Sequence, residues 1–75
     1  MAIFYNLFKK RFNDQRETCG KKPVPFMVLD KILEKLIGEY TLFSTFAKDI
    51  FKLERGEGKL MELVKQDDLE NILSS

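Results

Sequence analysis

The chain has 75 residues, 44% of them apolar, with 13 basic and 12 acidic side chains and a net charge of +1. That length holds one domain at most, a small one that buries only about 60% of the surface its unfolded form exposes. With no His, no Trp and one Cys, it excludes a Ser–His or Cys–His catalytic pair, a Cys/His zinc finger, an imidazole pH switch and an internal disulfide framework.

Charge is unevenly distributed. Residues 1–22 carry six basic side chains against two acidic, a net +4, and residues 23–75 carry seven against ten, a net −3. The first segment is therefore a basic arm or helix and the remainder is mildly acidic. The longest uninterrupted apolar runs are about four residues, such as Phe26-Met27-Val28-Leu29, where a membrane span needs about 20. The first twelve residues place their charges after their apolar part, the reverse of a secretory signal. The expected location is cytoplasmic, and the single Cys19 agrees with a reducing compartment.

In chain order, the first predicted element is a helix over 2–16. Ile3, Phe4, Leu7, Phe8 and Phe12 fall on one face, and Asn6, Lys9, Lys10, Asn13 and Arg16 on the other. Residues 17–25, with Gly20, Pro23 and Pro25, break it, and Pro25 suits the start of a following helix.

From Phe26 the apolar residues recur at Leu29, Leu33, Leu36, Tyr40, Phe43, Ala47 and Ile50, alternating steps of three and four. This heptad seam predicts one long central helix over about 26–55, roughly 45 Å in length. Two flanking rows are partly apolar, one with Ile32, Phe46 and Leu53, the other with Ile37 and Phe51. Gly38 is unfavourable inside a helix by about 1 kcal/mol, and Thr41 and Thr45 are poor helix formers. A break near Gly38–Thr41 is therefore the alternative, giving four helices with 26–38 folded back on 41–55. Gly56 and Gly58 end this element. A further helix follows over about 59–73, interrupted at Gln66-Asp67-Asp68, where Asp67 can cap a separate last turn.

Few residues carry chemistry. Asp67, Asp68 and Glu70 lack the spacing of a calcium loop and read as a cap with solvated acids. Gly56-Glu57-Gly58-Lys59 lacks the spacing, hydroxyl and strand of a phosphate loop. Cys19 beside Lys21 and Lys22 has no general base to make it an enzyme nucleophile. No cofactor, metal or small-molecule substrate is expected, and no catalysis. Lys9, Lys10, Arg11, Arg16, Lys21 and Lys22 are the candidates for contact with an anion or nucleic acid. An amphipathic helix on an anionic membrane surface is a further use of the same segment.

Glu54-Arg55-Gly56-Glu57, with Leu53 before it, resembles the segment after the recognition helix in phage-repressor-type helix-turn-helix proteins. That family places a glycine turn about nine residues upstream, whereas here Gly38 lies sixteen upstream of Glu54 and Phe43, Phe46 and Phe51 fill the interval. The resemblance implies no residue roles for this chain.

The expectation is a single all-α domain over 1–75, a bundle of three helices with two short ones on one long central helix, or four if the chain breaks near Gly38. In the three-helix form each half of the long helix meets one short partner, leaving apolar surface for another chain. The expected function is a small non-enzymatic protein–protein interaction module, a regulator, adaptor or inhibitor. It would act as a homodimer through Leu36, Tyr40, Phe43, Ala47 and Ile50. A nucleic-acid-binding dimer using the basic 9–22 segment is the alternative.

Overall fold

The computed structural model describes residues 2–69 and 71, and side chains from Tyr5 onward. Ile3 and Phe4 of the predicted apolar face, and three of the six residues of the predicted last turn over 68–73, lie outside the described side chains, while Leu69 and Asn71 of that turn are helical. Among the described residues four helices follow one another: α1 Ala2–Thr18, α2 Phe26–Glu39, α3 Phe43–Lys52 and α4 Lys59–Lys65, with a short 3-10 turn Leu53–Arg55 closing α3. No strand occurs among the described residues.

α1 follows the predicted face at Phe8 and Phe12 but not at Leu7, which is 44% exposed, while Arg16 of the predicted polar face is buried. Phe8 and Phe12, one turn apart, are fully buried, with ring centroids 5.7 Å apart. Phe8 also meets Phe46 of α3 at 6.1 Å. The helix ends at Gly20, whose φ of 77° lets the Lys21 amide donate back to the Arg16 carbonyl at 2.7 Å, a left-handed cap. The 19–25 strap is then pinned to α1. The Asn13 amide donates to the Val24 carbonyl at 3.0 Å, and the Val24 amide donates to Asn13 Oδ1 at 2.8 Å.

The long central helix over 26–55 is not formed, and the chain makes separate helices on either side of a break, as the alternative expects. The break lies at Tyr40–Leu42, two residues past Gly38. Tyr40 and Leu42 both have extended backbone, with ψ of 136° and 139°. Gly38 has no positive φ and sits inside α2. In a straight helix Tyr40 and Asp49 would stand roughly 13 Å apart along the axis. Here the Tyr40 hydroxyl donates to Asp49 Oδ2 at 2.6 Å, a contact only a turn permits.

Folding back changes which row is buried. α2 buries Leu29, Ile32, Leu33 and Leu36, the seam plus its neighbour. α3 buries Phe46, Asp49 and Ile50, and Leu53 continues that face. The predicted seam residues Phe43 and Ala47 stand at its edge instead. Ile32, Phe46 and Leu53 are themselves spaced at multiples of seven, so both rows contribute to the core, the seam mainly in α2 and its neighbour mainly in α3.

α4 is shorter than the predicted 59–73. It stops at Lys65, with Gln66 extended at ψ 137°. Arg16 occupies its end. This guanidinium is 6% exposed and donates to the carbonyls of Lys22 at 2.7 Å, Val64 at 3.0 Å and Gln66 at 2.8 Å. One side chain thus satisfies the last carbonyls of α4 and ties them to α1 and the strap.

The other end of α4 is held by Asp49. Its carboxylate accepts from the Lys59 amide at 3.2 Å and the Leu60 amide at 3.0 Å. These are first-turn donors with no partner inside the helix, and the positive end of the helix dipole favours the negative charge. Gly58 makes room for it: φ is 93° there, and a Cβ would lie 2.1 Å from Asp49 Oδ1. Asp49 thereby joins the α2–α3 turn to the start of α4.

Candidate protein interface

α3 is ten residues long and divides cleanly into two faces. Phe46, Asp49 and Ile50 face inward. Phe43, Ala47 and Phe51, each four residues from the next, form a row along the edge. Phe43 is 45% and Phe51 55% exposed, and Leu42, just before the helix, is 61% exposed. Ala47 is half-buried between the two rings. On the outer side of that row stand Ser44, Thr45, Lys48 and Lys52, all exposed. Arg55 follows, its guanidinium 5.5 Å from the centroid of Phe51, a cation–π contact.

Two of the three acids of this segment are committed elsewhere, and the third, Glu57, is exposed in the turn. Asp49 is buried, and Glu54 pairs with Arg11 of α1 at 3.2 Å. The outward surface of α3 and the turn after it therefore combines an apolar row, Phe43–Ala47–Phe51, with a parallel row of cations, Lys48–Lys52–Arg55.

The predicted interface residues separate. Leu36 and Ile50 are each 4% exposed and belong to the core. Tyr40 is part-buried, with its ring edge-on to Phe46 at 5.1 Å. Phe43 and Ala47 remain at the surface, and the structure adds Leu42 and Phe51, which the seam did not include. The four-residue spacing of 43, 47 and 51 is the signal in the sequence, and it is hidden because 43 and 47 also fit the period of the seam.

The predicted anion contacts separate too. Lys9 pairs with Asp30 at 2.5 Å and lies 5.3 Å from the Phe26 centroid. Arg11 is held by Glu54, Arg16 is buried against carbonyls, and Lys21 pairs with Asp67 at 2.9 Å. Lys10 and Lys22 are exposed. Most of the basic segment is thus engaged within the chain, and it offers no continuous cationic face.

Two groups have displaced acidity. Burial, helped by the hydrogen bond to the Asp49 carboxylate, raises the pKa of the Tyr40 hydroxyl above its ordinary value. The hydrogen bond and charge of Lys59 lower that of Glu39. The Lys59–Glu39 pair stands on the rim of a groove between α2 and α4, floored by Ile32, Leu36 and Leu63. Among the described residues no three His, Cys, Asp or Glu side chains converge as metal ligands, and no helix is long and apolar enough to cross a membrane.

Comparison with models of known families, with curated proteins and with solved structures finds no match for this chain.

Proposed function

We propose that the chain is a small non-enzymatic protein–protein interaction module whose contact surface is the outer face of α3, in the manner of a regulator, adaptor or inhibitor. The observation that carries this reading is the cluster of Leu42, Phe43 and Phe51. These three large apolar side chains are each 45–61% exposed within ten residues of one another; the other exposed ones, Leu7, Phe26 and Met27, belong to α1 and the start of α2. Contiguous apolar surface with a polar rim is characteristic of binding surfaces. The absence of His in the sequence weighs in the same direction against acid–base catalysis near neutral pH. Self-association has less surface to draw on than Leu36, Tyr40, Phe43, Ala47 and Ile50 together would offer, since Leu36 and Ile50 lie in the core.

The test is affinity capture from the native host, with the wild-type chain and a Phe43→Ser/Phe51→Ser variant side by side. A protein retained by the first and lost by the second is the expected result. Retention of the same proteins by both removes the assignment.

A second reading has one specific observation in its favour. α2 and α3 are joined by a three-residue turn, 40–42, and α3 leads directly into Glu54-Arg55-Gly56-Glu57. A helix, a short turn and a second helix with exposed Ser44, Thr45, Lys48 and Lys52 is an order that suits the major groove of duplex DNA. Nucleic acid would then be met by α3 rather than by the 9–22 segment. The exposed rings of Phe43 and Phe51 favour the protein reading over this one. A mobility assay with duplex DNA at low and high salt decides it, since phosphate contacts weaken steeply with salt.

A further inference from the structure

We infer that the outer face of α3 takes an acidic amphipathic helix of another protein, one with an apolar stripe flanked by Asp or Glu. This rests on the reading of α3 as the contact surface and goes beyond it by naming the chemistry of the partner. The argument is charge complementarity. Lys48, Lys52 and Arg55 are spaced by four and three residues, so they form one row of cations beside the apolar row Phe43–Ala47–Phe51. All three are exposed. Of the nearby acids, Asp49 caps α4 from a buried position and Glu54 is held by Arg11, which leaves the exposed Glu57 against three cations.

A partner must therefore cover two rings and place negative charge along one side of them. A helix does both with a single face. Its apolar stripe fits the ridge of Phe43 and Phe51, with Ala47 as the low point between them, and its flanking carboxylates reach the cation row. Complementary rims of this kind govern partner choice and association rate more than total affinity. A second copy of the chain is the less suitable occupant. In an antiparallel pair of α3 helices a two-fold axis sets both cation rows on the same side of the interface, like charge beside like charge; in a parallel pair the rows lie on opposite sides, and α3, whose one acid Asp49 is buried, offers no carboxylate to meet them. Anionic nucleic acid would satisfy the cations and leave the rings in water.

The experiment uses the full chain and two fluorescein-labelled helical peptides with the same apolar stripe, one flanked by Glu and one by Lys, read by fluorescence anisotropy. A labelled DNA duplex is the third probe, and light scattering gives the mass of the chain alone. The expected result is binding of the Glu-flanked peptide tighter than the Lys-flanked one by about tenfold or more, weakening as salt rises. Lys48→Glu/Lys52→Glu, which keeps Arg55 on Phe51, should reverse that preference while circular dichroism stays helical. Phe43→Ser/Phe51→Ser should abolish binding of both peptides. The inference is overturned by binding of neither peptide, by equal binding of both, or by tighter binding of the duplex. A dimeric mass lost in Phe43→Ser/Phe51→Ser overturns it also, by assigning the face to a second copy. Its failure is separable from failure of the contact surface. A captured protein that depends on Phe43 and Phe51 but is indifferent to charge reversal leaves the surface standing and removes the acidic partner.

Discussion

Asp49 is the residue on which three elements converge, and nothing in its sequence neighbourhood announces it. An Asp in the middle of an amphipathic helix, beside Lys48, reads as a solvated charge. Its burial follows from what lies far away in sequence: the Tyr40 hydroxyl and the amides of Lys59 and Leu60. Gly58 is the counterpart, readable as a loop residue but not as the space a carboxylate needs. Gly58→Ala is expected to destabilise the fold by about 2 kcal/mol or more, because the backbone there is nearly glycine-specific and the new methyl displaces the cap. A urea midpoint measured against wild type checks it. Tyr40→Phe should cost about 1.5–3 kcal/mol at neutral pH, the range for a hydrogen bond to a charged acceptor. The pKa of Tyr40 is raised in the fold, so its contribution is complete below the unfolded value near 10 and is lost as pH rises beyond it. The stability gap between wild type and Tyr40→Phe should therefore narrow in alkali. A gap that is constant or widens contradicts the hydrogen bond. Arg16 carries the same lesson. Counted with the basic segment, it is a core residue holding three carbonyls, and Arg16→Gln should cost about 2–4 kcal/mol by orphaning buried acceptors. Loss of any binding in that variant would report unfolding.

At the scale of the element, α1, the strap and the start of α2 follow from apolar spacing, Gly20, Pro23 and Pro25, because those signals are local. The α2–α3 break does not. The seam from Phe26 to Ile50 keeps its period through Tyr40, and a period says which residues share a face of a helix, not whether the helix continues. Two heptad rows run in parallel, so a turn can pass burial from one to the other with no trace in the spacing. Gly38 drew attention as the weakest helix former, yet it lies inside α2 with open space around it. Gly38→Ala is accordingly expected to stabilise the protein by up to about 1 kcal/mol, through helix propensity and a less flexible unfolded chain. A fall in the denaturation midpoint would contradict its helical conformation. The shortness of α4 was visible in outline, since Gln66-Asp67-Asp68 interrupts the apolar face. What stops the helix is Arg16, about fifty positions away.

At the scale of the molecule, closing the core within one chain changes what the surface offers. A continuous central helix would have left half a seam to cover. The turn at 40–42 buries Leu36 and Ile50 instead and leaves Leu42, Phe43 and Phe51 outside, on one helix edged by Lys48, Lys52 and Arg55. The candidate site was thus legible in part: Phe43 and Ala47 belong to it, while Phe51 and the cation row emerge only once α3 has its own orientation. The basic N-terminal segment, prominent in sequence, is largely matched within the fold by Asp30, Glu54 and Asp67. The most direct test of α3 as the contact surface is amide hydrogen exchange of the full chain, alone and with the protein it captures from its host. Slowed exchange concentrated in residues 42–55, with 2–22 unchanged, is the result expected. Protection centred on 2–22, with 42–55 exchanging as in the free chain, would contradict it.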